Sequence, residues 1–294
     1  SPKGRGPLEF SSVQDITLYD ENTLLISDNE LSKILQLDIP QREIVNEWRL
    51  DTPPFSITYN NNFLYIISND MVNGSIKVVK ELNFEDVKSF VKPTGLFNLI
   101  VSPNPFIYNN DTLFISVGFT DTVYYARNGN ILPFASLGNA ESSLSNVSGE
   151  DIKSVVFAKD RSALRRLKTT IVPSGFFSSI HDKWIIPLFI NLDFLVYDRA
   201  TEKAFIANSK AFKKVYLLFG APLPMIYAYD NEGYLYSSLI PFPEFYNRLE
   251  KLPEDDQIRR AAMEGLGQYY KNEAYENPVI VKFKPDEHFL ELKN

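Results

Sequence analysis

The sequence predicts an all-β fold, a β-propeller of four-stranded blades. Three observations predict it. One phrase recurs along the chain: YDENTLLIS at 19–27, YNNNFLYIIS at 59–68, YNNDTLFIS at 108–116 and YDNEGYLYSS at 229–238. Its opening tyrosines, Tyr19, Tyr59, Tyr108 and Tyr229, stand 40, 49 and 121 residues apart, and the first two intervals suit one blade plus some loop. Aromatic residues make up 14 % of the chain, with 22 Phe and 16 Tyr, which favours strands and fills the space between sheets. A β-sandwich is the other candidate, but it gives no reason for a repeat of this period.

Each copy of the phrase has one grammar. An apolar strand ends at Tyr, two to four turn formers follow, and a second strand opens with Leu or an aromatic residue. Asn, Asp and Gly tolerate the left-handed backbone of tight turns, so each copy predicts a β-hairpin. A degenerate copy, GFFSSIHDKWIIPLF at 175–189, turns at His181-Asp182-Lys183 and fills the long gap. Third and fourth strands follow most hairpins: KILQLDI (33–39) and EIVNEWRL (43–50), SIKVVKEL (75–82) and DVKSFV (86–91), TVYYAR (122–127) and ILPFASL (131–137), FLVYDR (194–199) and KAFIANS (203–209). Five blades are therefore visible from Val13 onward, within a single domain over 1–294.

Two short helical insertions interrupt the pattern. Over about 148–168, Ser148 with Asp151 forms a helix-start box and Leu164 and Leu167 lie three apart, although DIKSVVFA also reads as a strand. Over about 253–271, Pro253 suits a first helical position and Glu254, Asp255 and Asp256 suit the positive end of the helix dipole. Ile258, Ala262, Leu266 and Tyr269 then share a face. This helix falls inside the fifth blade, between GYLYSSLIP (233–241) and NPVIVKFK (277–284).

Composition excludes several functions. The net charge of −7 argues against a nucleic-acid surface; the one dense basic cluster, Arg161, Arg165, Arg166 and Lys168, reads as a solvated helix face. With no cysteine, disulfides, thiolate catalysis and cysteine-ligated zinc are excluded; two histidines argue against a multi-histidine site. No stretch approaches 18 apolar residues, so no transmembrane segment is expected.

GRGPLEF (4–10), running at once into a strand and the first hairpin, resembles the GxGPxEF lead-in of six-bladed β-propeller proteins of Bacteroidota, described as NHL-like or TolB-like. ENPVIVKFK (276–284) resembles their late DNPVL strand. The resemblance implies six blades rather than five. It also implies an extracytoplasmic protein of the periplasm or outer membrane, often a lipoprotein whose lipid anchor would lie upstream of the numbered chain.

Loops between second and third strands crowd one face of a propeller. Here they supply Asp28, Asn29 and Glu30, then Asn69 and Asp70, then Thr120 and Asp121, then Asn191 and Asp193. From these, Asp28, Asn69, Asp70, Asp121 and Asp193 are taken as a candidate ligand face. Converging carboxylates and amides could hold Ca²⁺, which takes six to eight oxygens, and would suit a hydrolase, lactonase or lyase. The competing reading is that Asp and Asn simply form turns. His181 sits in a hairpin turn, where a solvated structural role is expected. Ser174-Gly175 lacks the rest of a nucleophile elbow. Asp15, Asp193 and Glu244 could be imagined around a sugar, but nothing in the sequence selects them. Asn73, Asn110 and Asn146 match glycosylation sequons without further support. No catalytic constellation emerges. The expected function is a binding or scaffold module for a glycan, peptide or partner protein, with a Ca²⁺-dependent enzyme at the channel mouth as the alternative.

Overall fold

A computed structural model describes residues 4, 6–68, 70, 72–91, 105–109, 112–117, 120, 122–136, 178–180, 183–187, 194–207, 226–229, 232, 234–239, 247, 249–257, 259–264 and 279–283. The chain divides into two compact units. The first comprises Ser1–Phe177 with Pro187–Asn191, the second Ser178–Ile186 with Leu192–Asn294.

The first unit holds three four-stranded antiparallel sheets, each a simple meander. They are β1 (Val13–Asp20), β2 (Thr23–Asp28), β3 (Lys33–Asp38) and β4 (Glu43–Arg49); then β5 (Pro54–Asn60), β6 (Phe63–Ser68), β7 (Ile76–Lys80) and β8 (Val87–Phe90); then β9 (Phe106–Asn109), β10 (Thr112–Ser116), β11 (Thr122–Arg127) and β12 (Asn130–Ser136). The second unit carries a fourth such sheet, β13 (Ser178–Ile180), β14 (Lys183–Pro187), β15 (Phe194–Asp198) and β16 (Lys203–Ala207). It also carries a three-stranded sheet, β17 (Ile226–Tyr229), β18 (Leu235–Leu239) and β19 (Val279–Phe283). The repeated phrase is the first hairpin of a sheet in all five.

Turn chemistry fixes the registers. Asn60 pairs with Phe63 across Asn61 and Asn62, both left-handed (φ 49° and 67°), as a two-residue type I′ turn demands. Arg127 pairs with Asn130 across Asn128 and Gly129, again both left-handed. A Cβ on Gly129 would stand 2.4 Å from the Phe63 ring, so only glycine lets this turn settle against the neighbouring sheet. A second device closes third strands onto fourth. Asp38 accepts the Gln41 N–H at 2.8 Å ahead of left-handed Arg42, and Asp198 accepts the Ala200 and Thr201 N–H groups ahead of left-handed Glu202.

In the first unit the core lies between successive sheets. Alternation along each strand sends one set of side chains to each neighbour. Leu25 and Ile34 of the first sheet meet Ile57, Leu64, Ile66 and Val79 of the second. Tyr65, Ile67, Ile76 and Val78, on the other face of that second sheet, meet Leu113, Ile115 and Ile131 of the third. The second sheet is thus buried on both faces, which is why β6 reads iBBBBB rather than alternating.

The opening tyrosines join the first strands of neighbouring sheets. Tyr19 and Tyr59 lie ring against ring, centroids 4.6 Å apart. The Tyr108 hydroxyl shares a 2.7 Å hydrogen bond with Thr58 Oγ1 and donates at 3.4 Å to the Tyr59 carbonyl. Between the first two sheets, Ile57 N donates to Asp15 Oδ2 at 2.9 Å and Tyr59 N to Thr17 Oγ1 at 3.3 Å.

The predicted insertion at 148–168 lies outside the described residues. In the second, residues 257 and 259–264 are helical. The expected start is corrected: Pro253 precedes the helix, its carbonyl accepting the Asp256 N–H at 3.0 Å. Asp256 is the N-cap, because its Oδ1 accepts from Arg259 N at 3.4 Å and its carbonyl from Arg260 N at 3.0 Å. The helix falls between β18 and β19, which pair directly, Leu235 opposite Phe283.

Tyr108→Phe removes one hydroxyl from the join between second and third sheets. We expect a loss of about 0.5–1.5 kcal/mol in urea unfolding. An unchanged midpoint would show that this hydrogen bond contributes nothing.

Candidate functional site

A meander places two kinds of connection at opposite ends of each sheet. Loops from second to third strand stand at one end; turns from first to second and third to fourth stand at the other. The predicted ligand face belongs to the loop end. Asp28 and Asp70 are there, while Asn69, Asp121 and Asp193 lie outside the described residues, as do His181, Ser174 and Glu244.

The two described carboxylates face inward. Asp28 is 0 % exposed and Asp70 3 % exposed. Asp28 Oδ2 accepts the Ser11 N–H at 2.6 Å and the Ser12 N–H at 3.4 Å, and its Oδ1 accepts Leu31 N–H at 3.0 Å. It closes its own loop and holds the chain that leads into β1. Asp70 Oδ1 accepts from Val72 N and Asn73 N at 3.0 and 2.8 Å; its Oδ2 takes Asn73 Nδ2 at 3.1 Å and the buried Lys77 ammonium at 3.2 Å. Burial alone would raise the Asp70 pKa, but the bonds from Asn73, Val72 and Lys77 outweigh it and bring it to about 2. Thr120 Oγ1 is likewise engaged, at 2.9 Å from the Val117 carbonyl. Among the described residues no three acidic or histidine side chains gather as a metal site. With their oxygens committed to backbone and lysine, Asp28 and Asp70 do not fit a Ca²⁺ centre.

The GRGPLEF motif explains itself at the same end. Glu9 folds back so that its Oε2 accepts the Gly6 N–H at 2.7 Å, and its carboxylate lies against Gly4 and Gly6, where an added Cβ would push it aside. Leu8 N donates to Glu47 Oε2 at 2.9 Å. Lys33, 1 % exposed, reaches that same oxygen at 3.0 Å and the Gly6 carbonyl at 3.4 Å. Burial pushes Glu47 up, yet Leu8, Lys33 and Arg49 together hold its pKa below the ordinary value. Phe10 then packs on Ile26, Leu35 and Ile44.

Asp15 differs from these acids. Burial dominates over its bonds from Ile57 N and Ile16 N and lifts its pKa to about 6. Burial, then the Tyr19 hydroxyl, also raises the Tyr59 phenol to about 12.

The turn end of the third sheet holds an open cleft of about 540 Å³. Its floor is aromatic. Phe114 and Tyr125 are partners across β10 and β11, and Phe134 on β12 meets both edge-on, at centroid distances of 5.0 and 6.4 Å. These rings occupy the face of the third sheet opposite Leu113, Ile115 and Tyr124, which pack on the second sheet. Arg127, Asn128, Thr112 and, from the β5–β6 turn, Asn61 supply the polar wall. The sequence reading missed this cleft. Its one available signal was the alternation of large aromatics at 114, 125 and 134, which becomes a surface only once the register aligns them.

Stacked four-stranded meanders joined through their first strands define a β-propeller. The chain belongs to the family DUF5128, 6-bladed beta-propeller, whose model matches residues 1–232. Among solved structures, a Bacteroides fragilis protein described as exported shares 14 % identity at a TM-score of 0.58, over 97 % of this chain and 80 % of its own. A streptogramin B lyase gives 14 % identity and a TM-score of 0.45, over 77 % of this chain and 62 % of the lyase. The extracellular domain of a B. thetaiotaomicron one component system gives 10 % and 0.39, over 66 % and 22 %. These are likenesses of fold. No curated protein matches the sequence.

Two pH effects of opposite sign follow. The folded protein holds the Asp15 proton more tightly than the unfolded chain does. Its contribution is therefore full below about 4 and lost as pH rises through about 6. Asp15→Asn keeps an acceptor for Ile57 N without the charge, so the variant should gain on wild type between pH 4 and 6 in urea melts; parallel curves would refute the burial. Asp70 holds its proton less tightly when folded, so its contribution is present above about 4 and lost as pH falls through about 2. Asp70→Ala, which strands the buried Lys77, should cost about 3–5 kcal/mol at pH 7, a gap that narrows on acidification. A cost below 1 kcal/mol would mean Lys77 finds another partner.

Proposed function

We propose that this propeller is an extracytoplasmic binding module, 1–294 acting as one domain, and that it engages a glycan, peptide or partner protein rather than carrying out chemistry. One observation carries the reading: the turn end of the third sheet holds an open, ring-lined and polar-walled cleft, whereas the described loop-end carboxylates Asp28 and Asp70 are engaged by backbone and lysine. The volume falls in the range of small-ligand sites, about 300–1,000 Å³. Phe134 is 44 % exposed at its edge.

The location rests on the exported Bacteroides relative and on the GxGPxEF lead-in. A periplasmic or outer-membrane lipoprotein, anchored by lipid upstream of the numbered chain, is consistent with both. No described helix is long and apolar enough to cross a membrane. The net charge of −7 speaks against nucleic acid as partner.

Arrays of glycans and peptides, probed with wild type and with Phe134→Ala, test the module. Binding that weakens at least about tenfold in the variant supports it; binding that ignores the substitution moves the site elsewhere. Thermal melts in EDTA and in millimolar Ca²⁺ test the enzymatic alternative. We expect the same midpoint in both. A Ca²⁺-dependent rise of several degrees, as a ligand at 100 times its dissociation constant would give, would restore the metal-dependent reading.

A further inference from the structure

We propose that the turn-end cleft is a receptor for an acidic sugar, with the ring laid on Phe134 and Tyr125 and the carboxylate held by Arg127. This rests on reading the cleft as the ligand site and goes on to name the ligand class.

The charge pattern points to an anion. The described lining of the cleft contains a cation, Arg127, and no Asp or Glu. Among the described residues no carboxylate lies within ion-pair distance of that guanidinium. By contrast the buried lysines Lys33 and Lys77 are each paired with an acid. A guanidinium presents a planar fork of N–H donors that matches a carboxylate in two parallel bonds.

The rest of the lining points to a polyhydroxylated ring. Three aromatic rings set edge to face give an apolar floor with one member, Phe134, well exposed. Around it stand two primary amides and a hydroxyl, from Asn61, Asn128 and Thr112, each able both to donate and to accept. A sugar needs both: one apolar face of C–H groups and a rim of hydroxyls that act as donor and acceptor. The backbone that carries the amides is set by turn geometry, since Asn61 and Asn128 are each the first left-handed residue of a two-residue turn. Gly129 seats one turn against Phe63 of the sheet that carries the other.

An extended peptide fits less well. Peptides of that kind are held mainly through main-chain bonds to an open strand edge. The floor takes two of its three rings from β10 and β11, which already have a partner on both sides, and its third from the outer strand β12, which contributes the Phe134 ring. It offers side chains, not backbone.

The test uses the full chain and titration calorimetry. The probes are trisaccharides of galacturonic, glucuronic and mannuronic acid, with the neutral galactose, glucose and mannose trisaccharides as controls. The proteins are wild type, Arg127→Gln, Arg127→Lys and Phe134→Ala. All three variants alter exposed side chains, so unchanged melting temperatures verify folding. We expect at least one tri-uronate to bind wild type. Arg127→Gln should weaken it about tenfold or more and Arg127→Lys less, because an ammonium keeps the charge but loses the fork. Phe134→Ala should weaken acidic and neutral sugars alike. Equal binding of acidic and neutral sugars, with Arg127→Gln indistinguishable from wild type but Phe134→Ala impaired, would overturn the acidic class and leave the binding module standing. No binding of any tri-uronate overturns the inference. If the array ligand of wild type is also untouched by Phe134→Ala, the cleft itself is lost as the site.

Discussion

The join between the first strands of adjacent sheets is the constraint on which the first unit depends. A four-stranded meander has two apolar faces and cannot bury both alone. Here Asp15, Thr17 and Tyr19 on one strand meet Ile57 and Tyr59 on the next, and Thr58 and Tyr59 meet Tyr108 on the one after. These polar and aromatic links set how far neighbouring sheets are displaced along each other. With that displacement fixed, Leu25 and Ile34 can lock against Leu64 and Ile66, and Ile67 and Ile76 against Leu113 and Ile115. Tyrosine suits the task because its ring packs while its hydroxyl bridges. The phrase recurs because the join recurs.

The two ends of the sheets have taken opposite uses of polarity. At the loop end, buried carboxylates and lysines satisfy one another and the surrounding N–H groups. A half-satisfied buried charge is costly, so this arrangement specifies the loops and the lead-in segment tightly while leaving little free to meet a ligand. At the turn end Asp38 and Asp198 still cap turns with their carboxylates, but Asn61, Asn62 and Asn128 do their structural work through left-handed backbone. A left-handed Asn closes a hairpin with its backbone and keeps its amide for other contacts. The described cleft lies at that turn end.

Membership of a six-bladed propeller family accords with the five described sheets and with the lead-in motif. It does not carry function with it, since one fold hosts many unrelated activities. What the structure adds is local: rings, amides, hydroxyls and a guanidinium around one recess.

Sequence by itself determined the class of fold, the hairpins and nearly every described strand. Those depend on short-range physics: alternation, β-branched and aromatic residues, and turns written as Asn-Asn, Asn-Gly or Asp-x-x. The helix described at 257 and 259–264 was legible in type, while its start was misplaced, because Pro253 and Asp256 both suit a helix entrance and only the carbonyl and carboxylate geometry separates them. The function of individual acids was decided by tertiary structure. Asp28 and Asp70 read as ligand candidates because sequence gives their loop but not their burial, nor the partners 16 or 17 residues away at Ser11 and Ser12. Phe114, Tyr125, Phe134, Arg127 and Asn61 span more than seventy positions in the chain and carry no shared motif. They became one surface only when strand register put 114 beside 125 and sheet packing brought the turn at 61 to the turn at 128.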